Sequence, residues 1–196
     1  MQNVFQSDYC RRGRRWAGYA DVPDLPSGAV VLETGCGNGK TLHALLSSGK
    51  QAFGIDISEE AVRLSGSLNA AAGDVCHLPF RDESFDAVFS RHVLGHLSEA
   101  GRKTAAGELI RVTKRGGAIY FSGFGKADFR FGRGDEVEPD SFLRGDGIMT
   151  HYFTEGEVKE YFSDGCSSCS VSVKEWELRV RGSVYPRCEI EGFFIR

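Results

Sequence analysis

Residues 29–41 read AVVLETGCGNGKT, and this stretch decides the fold. Its first half is a continuous apolar run closed by Glu33, which is typical of a strand buried on both faces of a parallel sheet. Its second half carries Gly35, Gly37 and Gly39, and residues 40–48 then place leucines on one helical face. Glycines let the backbone turn sharply and approach a ligand beside the free N–H groups of the following helix. The stretch therefore predicts a strand, a ligand-binding turn and a helix.

The same alternation of strand and helix continues along the chain. Strands are predicted at 51–57, 70–72, 85–90 and 118–122, and helices at 40–48, after Ser58 and at 102–113. Such alternation implies a doubly wound, mostly parallel sheet, because each right-handed crossover needs a helix to return the chain. A helix capped by Thr154 and two strands at 170–180 and 184–195 follow, and we expect these strands to form an antiparallel end of a seven-stranded sheet.

Length and composition favour one domain in a reducing compartment. The 196 residues fit one ordinary core, which we expect to span 28–196 behind an N-terminal helical cap and linker, 1–27, with a short helix at 9–19. An insertion loop at about 124–150 interrupts the alternation. The net charge of -3 gives no case for a dedicated nucleic-acid surface, and no apolar run targets a membrane, so we expect a cytoplasmic protein. Cys166 and Cys169 have no second pair, and no metal site is predicted.

Two familiar phosphate-binding patterns each fail by one residue in the glycine turn. The dinucleotide pattern G-x-G-x-x-G needs a glycine at position 40, where the chain has Lys40. The P-loop pattern matches Gly39, Lys40 and Thr41 but needs a glycine at position 34, where the chain has Thr34. A nucleotide phosphate-binding protein thus remains an alternative. Asp56 ends the second strand about 20 residues beyond the turn, where a carboxylate can accept both ribose hydroxyl hydrogens.

Further motifs carry a resemblance to a known family. The E-x-G-x-G-x-G of 33–39, the GDVCHLPF of 73–80, the FDAV of 85–88 and the ELIRVTKRGG of 108–117 resemble class I S-adenosylmethionine-dependent methyltransferases. They are most similar to those of ubiquinone/menaquinone biosynthesis and tRNA wobble-uridine modification. The resemblance implies a Rossmann-like α/β fold, S-adenosyl-L-methionine as cofactor, and methyl transfer to an N, O or S nucleophile.

The resemblance also assigns a cofactor site. By it, Asp74 accepts from the adenine amino group, the Val75 backbone assists, and Ile57 packs on the ring; alternatively, Asp74 only forms a turn. Together with the glycine turn and the ribose-binding acid, the predicted cofactor-binding residues are Glu33, Gly35, Cys36, Gly37, Gly39, Asp56, Ile57, Asp74, Val75 and Ser90.

The segment after the fourth strand, RHVLGH at 91–96, lies where open α/β sheets bind ligands. We expect Arg91, His92 and His96 to face the reaction, because an imidazole can take a proton from an attacking N–H or O–H group near neutral pH. Alternatively, His96 is a packing or hydrogen-bonding residue. The acceptor-side candidates are Tyr9, Trp16, Arg144, His151 and Tyr152.

The methyl acceptor is not identified by any of these motifs. A small molecule is favoured over tRNA or protein, because the chain has no overall positive charge and shows no added nucleic-acid-binding domain. A monomer or homodimer is expected. A non-catalytic subunit that keeps the cofactor pocket is the other alternative.

Overall fold

The computed structural model describes residues 4–13 and 20–196. Its helices are α1 (Val4–Arg12), α2 (Lys40–Ser47), α3 (Glu59–Ser65), α4 (Glu99–Val112) and α5 (Glu155–Ser163), with a 3₁₀ turn at Leu94–His96. Its strands are β1 (Val30–Thr34), β2 (Gln51–Asp56), β3 (Ala70–Ala72), β4 (Phe85–Arg91), β5 (Thr113–Phe124), β6 (Asp135–Glu138), β7 (Ser141–Leu143), β8 (Met149–His151), β9 (Ser168–Val180) and β10 (Ser183–Ile195).

A seven-stranded sheet in the order β3-β2-β1-β4-β5-β10-β9 forms the centre of the chain. The first five of these strands are parallel, whereas β10 runs antiparallel to both β5 and β9. The predicted mostly parallel sheet with an antiparallel C-terminal end is confirmed. The chain leaves β1 toward β2 on one side and later returns to β4 on its other side, and such a reversal of strand order opens a crevice at the carboxyl ends of the strands.

Apolar side chains cover the sheet on both faces. On one face, Leu109 of α4 and Phe162 of α5 join a core that includes Val88 and Ile119, all of them fully buried. On the other face, Leu42 and Leu45 of α2 pack in a second cluster that includes Val31 and Phe89. The central strands are thus buried on both sides, as their continuous apolar runs require.

Two segments differ from the sequence-based expectation. The first helix spans 4–12 instead of 9–19, and residues 14–19, with the predicted acceptor residue Trp16, lie outside the described residues. The expected loop at 124–150 contains β6, β7 and the first residues of β8, which pair as a separate three-stranded antiparallel sheet. Each of these strands has only three or four residues, too few to show a period-2 pattern against the surrounding glycines and charges.

No helix in the described part of the chain is long and apolar enough to cross a membrane.

Candidate functional site

The glycine turn after β1 is closely covered from two sides. Gly35 and Gly37 have φ angles of 64° and 52°, in the left-handed region that disfavours other residues. A Cβ atom at Gly35 would lie 2.3 Å from Cγ2 of Val93, and one at Gly37 would lie 2.5 Å from the Tyr9 hydroxyl. The turn is therefore held between the segment that follows β4 and helix α1, and neither position has space for a side chain.

The carboxylate of Asp56 shapes this turn from the end of β2. Its Oδ2 accepts from the backbone N–H of Gly37 at 2.8 Å, and its Oδ1 accepts from the N–H of Ser58 at 2.9 Å. Burial raises the pKa of Asp56, while these two hydrogen bonds act to lower it. Asp56, the acid predicted to bind ribose, thus connects the glycine turn after β1 to the start of α3.

Glu33 is a buried acid at the end of β1, only 7% exposed. Burial raises the pKa of Glu33 to about 8, although hydrogen bonds from the Thr41 side chain and the Leu42 backbone, and the charge of Arg91, act to lower it. Its Oε2 is buried and has no hydrogen-bond partner among the described residues. A positive group placed beside this oxygen would stabilise the charged carboxylate, which the protein alone does not fully stabilise.

Ser90 lies next to the glycine turn in the sheet, because it pairs in register with Thr34 of β1. Its hydroxyl oxygen is also buried without a hydrogen-bond partner in the described part of the chain. Cys36, inside the turn, is 5% exposed, and burial raises the pKa of its thiol. A buried thiol of this kind is a poor nucleophile, so the turn offers shape and backbone groups instead of thiolate chemistry.

The residues predicted to bind adenine follow β2 and β3. The N–H of Gly73 donates to the Asp56 carbonyl at 2.9 Å, which places the start of this segment beside Asp56. Asp74 is partly exposed, and its Oδ1 accepts from the N–H of Cys76 at 2.9 Å, so the turn-forming role weighed from the sequence is present. Val75 is buried, whereas Ile57 is 48% exposed. An exposed isoleucine next to Asp56 is suited to pack on a ring, and the adenine role of these residues stays a prediction.

His92 follows β4 in a fixed geometry. Its φ angle is 56°, its N–H donates to the Ser122 carbonyl at 2.8 Å, and its ring stacks on Phe124 with centroids 4.4 Å apart. Its Nε2 lies 3.3 Å from Oε1 of Glu189 on β10. Glu189 was not predicted from the sequence, because only the pairing of β10 with β5 brings it to the end of β4.

His96 has a different environment from His92. Its Nδ1 lies 2.8 Å from the carbonyl oxygen of Met149 and must donate to it. Burial lowers the pKa of His96 to about 4, against the opposing effect of that hydrogen bond, so the ring is neutral at physiological pH. Phe5 of α1 contacts the ring edge-on, with centroids 5.1 Å apart. The packing and hydrogen-bonding role weighed from the sequence is therefore present.

Arg91, the last residue of β4, is held in place by the segment that precedes β1. One of its guanidinium nitrogens donates to the Asp21 carbonyl at 2.9 Å, and the guanidinium lies 5.2 Å from the ring centroid of Phe89. Its charge also reaches Glu33 and acts to lower the pKa of that acid. Arg91 therefore connects the linker, β4 and the buried acid.

Two of the acceptor-side candidates, His151 and Tyr152, are buried. His151 is buried, with ring nitrogens 2.8 Å from the Ser141 hydroxyl and 2.8 Å from Glu157. Tyr152 is 1% exposed and packs among Phe124, Phe131 and Phe142. Both side chains thus lie in the interior, among other residues of the chain, and their roles toward an acceptor stay predictions.

Two other acceptor-side candidates lie near His96 or near the glycine turn. Arg144 pairs with Asp146 at 3.2 Å, and its charge acts on His96 to lower the pKa of that ring. The Tyr9 hydroxyl lies over the backbone of Gly37. Their roles toward an acceptor stay predictions.

A groove of about 540 Å³ opens beside the end of β4. Its lining includes Arg91, His92, Tyr120, Ser122, Lys174 and Glu189. Side chains of β5, β10 and β9 among them share one face of the sheet. On β5, Tyr120 and Ser122 alternate with the core residues Ile119 and Phe121, and on β10, Phe193 alternates with the core residue Phe194. The groove therefore reaches from the end of β4 onto one face of the antiparallel strands.

Comparisons with known proteins find methyltransferases among the proteins similar to this chain. Residues 32–121 match the family model described as "Methyltransferase domain". The chain is 42% identical over 103 residues to the tRNA (carboxymethyluridine(34)-5-O)-methyltransferase of Arabidopsis thaliana, covering 51% of this chain and 25% of that protein. It is 31% identical over 190 residues to O-methyltransferase 3 of Dictyostelium discoideum, covering 85% of this chain and 44% of that protein. The chain thus spans less than half the length of these two relatives.

A solved structure extends the similarity to most of the chain. A SAM-dependent methyltransferase from Methanosarcina mazei superimposes with a TM-score of 0.70 and 25% identity. The match covers 87% of this chain and 94% of that one, so most of the fold is shared.

Proposed function

We propose, from the premise that residues 32–121 belong to the methyltransferase domain family, that this chain transfers a methyl group from S-adenosylmethionine to an N, O or S nucleophile. Membership in that family implies S-adenosylmethionine as the cofactor. The proposal for the chain's own activity is supported by the way its buried acids suit that cofactor.

The observation that carries the proposal is the buried Oε2 of Glu33, which has no hydrogen-bond partner in the described part of the chain. S-adenosylmethionine carries an ammonium and a sulfonium group. A cation of this kind would stabilise the ionised form of an acid whose pKa burial raises to about 8. ATP with magnesium instead presents an anionic phosphate chain, and an acid at this position opposes it. The site therefore suits the cationic cofactor better than the phosphate-binding alternative.

The remaining residues of the edge suit an adenosyl group. Asp56 can accept from ribose hydroxyls while it holds Gly37, and the positive φ angles of Gly35 and Gly37 give the sharp turn that this position needs. Ile57 offers an exposed apolar surface, and Asp74 offers a carboxylate oxygen. When bound, the cofactor supplies a sulfonium leaving group. The protein then contributes by aligning the acceptor and by excluding water.

A small molecule is the acceptor class that we favour. The groove of about 540 Å³ falls within the range of small-ligand sites. Its acids Glu189 and Glu191 lie beside its cations Arg91 and Lys174, so its lining has no excess of positive charge for a phosphate backbone. An RNA acceptor, which the name of the Arabidopsis relative brings into consideration, is an outcome of the test.

The first test is a calorimetric titration with S-adenosylhomocysteine and, separately, with ATP and magnesium. We expect the first ligand to bind and the second not to bind. Glu33→Gln should weaken S-adenosylmethionine binding at pH 8.5 at least tenfold, whereas Glu59→Gln, at an exposed acid on α3, should leave it unchanged. Preferential binding of ATP with magnesium would overturn the proposal.

The second test identifies the acceptor. The chain is incubated with methyl-tritiated S-adenosylmethionine and separate RNA, protein and small-molecule fractions of the host. Label in the small-molecule fraction supports the favoured acceptor class. Label confined to RNA would replace that class with RNA and leave the methyltransferase proposal intact.

A further inference from the structure

We propose that the methyl acceptor is a neutral, planar aromatic compound that stacks on Phe193 in the groove beside β4. This inference rests on the proposed function and narrows its acceptor class to one kind of small molecule. Phe193 cannot be singled out from the sequence, because only the order of the strands in the sheet brings it into the groove.

Two rows of side chains cross the floor of the groove from β4 to β9. One row is mainly aromatic, and its members are Phe89, Tyr120, Phe193 and Ser170. The other row is polar, and its members are Arg91, Ser122, Glu191 and Ser172. The rows lie two residues apart along each strand, so they share one face of the sheet. Neighbouring strands are about 4.8 Å apart, so each row spans about 14 Å, which is enough for a ligand of two fused rings.

The aromatic row ends in an exposed ring. The rings of Phe89 and Tyr120 stack with centroids 4.6 Å apart, and the ring of Phe193 follows with its centroid 5.1 Å from that of Tyr120. Phe193 is nevertheless 38% exposed, because its neighbour on the other side is Ser170, whose side chain is too short to cover it. A ligand ring placed over Ser170 takes the fourth position in the row and buries the exposed side of Phe193.

The polar row suits the substituents of such a ring. Ser122 lies between Arg91 and Glu191, and Ser172 lies at the end of the row on β9. Serine hydroxyls both donate and accept hydrogen bonds, so they can hold a hydroxyl or an amino group without requiring a charge on the ligand. A hydroxyl or an amino group is also an O or N nucleophile of the proposed reaction.

The charges of the lining disfavour an anionic ligand. The acids among the lining residues are Asp21, Glu189 and Glu191, and the cations are Arg91 and Lys174. A protonated His92 would only balance them. Lys174 is already paired with Glu191 at 3.0 Å, and the charge of Arg91 acts on the buried acid at the end of β1. An anion must therefore compete with carboxylates of the protein for each cation, whereas a neutral ring need not.

The groove adjoins the proposed cofactor site at its β4 end. Glu33 pairs in register with Phe89, and Arg91 lies two residues further along β4. Phe193 is two strands away from β4, a distance of about 10 Å. A ring stacked on Phe193 therefore places its nucleophile near the cofactor only if the ligand extends toward β4. This geometry favours a fused two-ring compound over a single ring.

Three ligands with the same two-ring skeleton test the proposal. The probes are 2-naphthol, which is neutral at pH 7, 2-naphthoate, which is an anion, and decahydro-2-naphthol, which is saturated and not planar. Each is titrated calorimetrically into the chain saturated with S-adenosylhomocysteine. We expect 2-naphthol to bind about fivefold or more tightly than either of the other two. No binding of 2-naphthol, or equal affinity for 2-naphthol and either other probe, would overturn the inference.

Variants of Phe193 test where the ring binds. Phe193→Leu keeps an apolar side chain but loses the ring, and it should weaken 2-naphthol binding about 2- to 10-fold. Phe193→Ala should weaken it further, because less apolar surface is buried. Phe53→Ala is the matched control, since Phe53 is also 38% exposed but lies on β2, on the other side of the sheet. The S-adenosylhomocysteine affinity of all three variants should stay within twofold of wild type. Unchanged 2-naphthol affinity in Phe193→Leu would overturn the inference.

A variant of Glu191 tests the charge preference. Glu191→Gln removes one acid and releases Lys174, so it should raise the affinity for 2-naphthoate about 3- to 10-fold and leave that for 2-naphthol within twofold. Glu177→Gln, at an exposed acid on the other face of β9, is the control and should behave as wild type. No gain in 2-naphthoate affinity in Glu191→Gln would overturn the preference for a neutral ligand.

A competition experiment tests whether the groove ligand is the acceptor. Saturating 2-naphthol should suppress tritium transfer from S-adenosylmethionine to the small-molecule fraction of the host. Transfer that continues unchanged, or label confined to RNA, would overturn the inference and leave the methyltransferase proposal intact. If the wild-type chain binds no S-adenosylhomocysteine and labels no fraction, the proposed function itself fails, which is a distinct result.

Discussion

Asp56 accepts a hydrogen bond from the backbone N–H of Gly37 at 2.8 Å, across 19 residues of sequence. The same carboxylate accepts from Ser58 with its other oxygen, and Ser58 in turn caps α3 by accepting from the N–H of Ala61 at 3.1 Å. One buried acid therefore sets the shape of the glycine turn and the start of α3. A change at this position should affect cofactor binding both directly and through the turn.

Asp56→Asn should weaken S-adenosylhomocysteine binding about 10- to 100-fold, measured by calorimetry. The amide keeps the size of the side chain but loses charge and one acceptor, and hydrogen bonds to charged groups contribute about 1.5–3 kcal/mol. Glu60→Gln, at an acid in the first turn of α3 that pairs with Arg63, is the control and should retain the affinity. Equal affinity of the Asp56→Asn and wild-type chains would contradict a binding role for Asp56.

Gly37→Ala should weaken cofactor binding, because the added Cβ would lie 2.5 Å from the Tyr9 hydroxyl and the φ angle of 52° is unfavourable for alanine. The double variant Tyr9→Phe/Gly37→Ala separates the two causes, since the next Tyr9 atom lies 3.6 Å away. Partial recovery of affinity in the double variant would show that contact with the Tyr9 hydroxyl of α1 causes part of the loss. No recovery would assign the whole loss to backbone strain.

Binding of S-adenosylmethionine should release a proton below about pH 8. Burial gives Glu33 a pKa of about 8 in the unliganded chain, and a bound cation lowers that pKa. The affinity for S-adenosylmethionine therefore rises with pH, and it levels off above about pH 8, where Glu33 is already ionised before the cofactor binds. Calorimetry in buffers of different ionisation enthalpy measures the proton count. Glu33→Gln should remove the release, and a release that persists in this variant would contradict the assignment to Glu33.

The same acid should make the unliganded chain less stable as the pH rises. The pKa of Glu33 is raised in the folded state, so the folded chain holds the proton more tightly than the unfolded chain does. This proton contributes to the free energy of unfolding at low pH, and the contribution is lost between about pH 4.5 and 8. Denaturant unfolding at pH 6 and 8.5 should show a smaller stability decrease for Glu33→Gln than for wild type. An identical decrease in the free energy of unfolding of both chains would show that Glu33 does not cause it.

Acid should loosen the 125–154 segment before the main sheet. Glu157 of α5 bonds His151 and Tyr161; burial opposes ionisation, but these partners and Arg102 keep the pKa of Glu157 below its usual value. A lowered pKa stabilises the fold above pH 4.5, and this contribution is lost as the pH falls through the folded value. Hydrogen exchange at 149–153 should accelerate below pH 4.5, and Glu157→Gln should show fast exchange at pH 7. Glu155→Gln, at an exposed acid of the same helix, should exchange as wild type.

The parallel half of the fold was predictable from the sequence because its signals are local. A buried strand such as β1 is a continuous apolar run, and the caps Ser58 and Thr154 mark their helices directly; both accept from backbone N–H groups as expected. The glycine turn was equally readable, since its positive φ angles need glycine. These features depend on neighbours within a few residues.

Features that depend on distant pairing were not predictable. Glu189 becomes a partner of His92 only through the register of β10 on β5, and nothing in its own surroundings in the sequence distinguishes it from Glu191. His151 and Tyr152 looked available because they lie in a polar segment, yet the β6–β8 sheet and its aromatic neighbours bury them. The polarity of a segment does not show which of its side chains face inward.

The single bond between His96 and the Met149 carbonyl has an evolutionary consequence. It connects the 3₁₀ turn that follows β4 to β8 through a main-chain atom, which any residue at position 149 supplies. The side chain at position 149 can therefore be replaced in the course of evolution, while this contact and the orientation that it gives to the His96 ring are inherited unchanged.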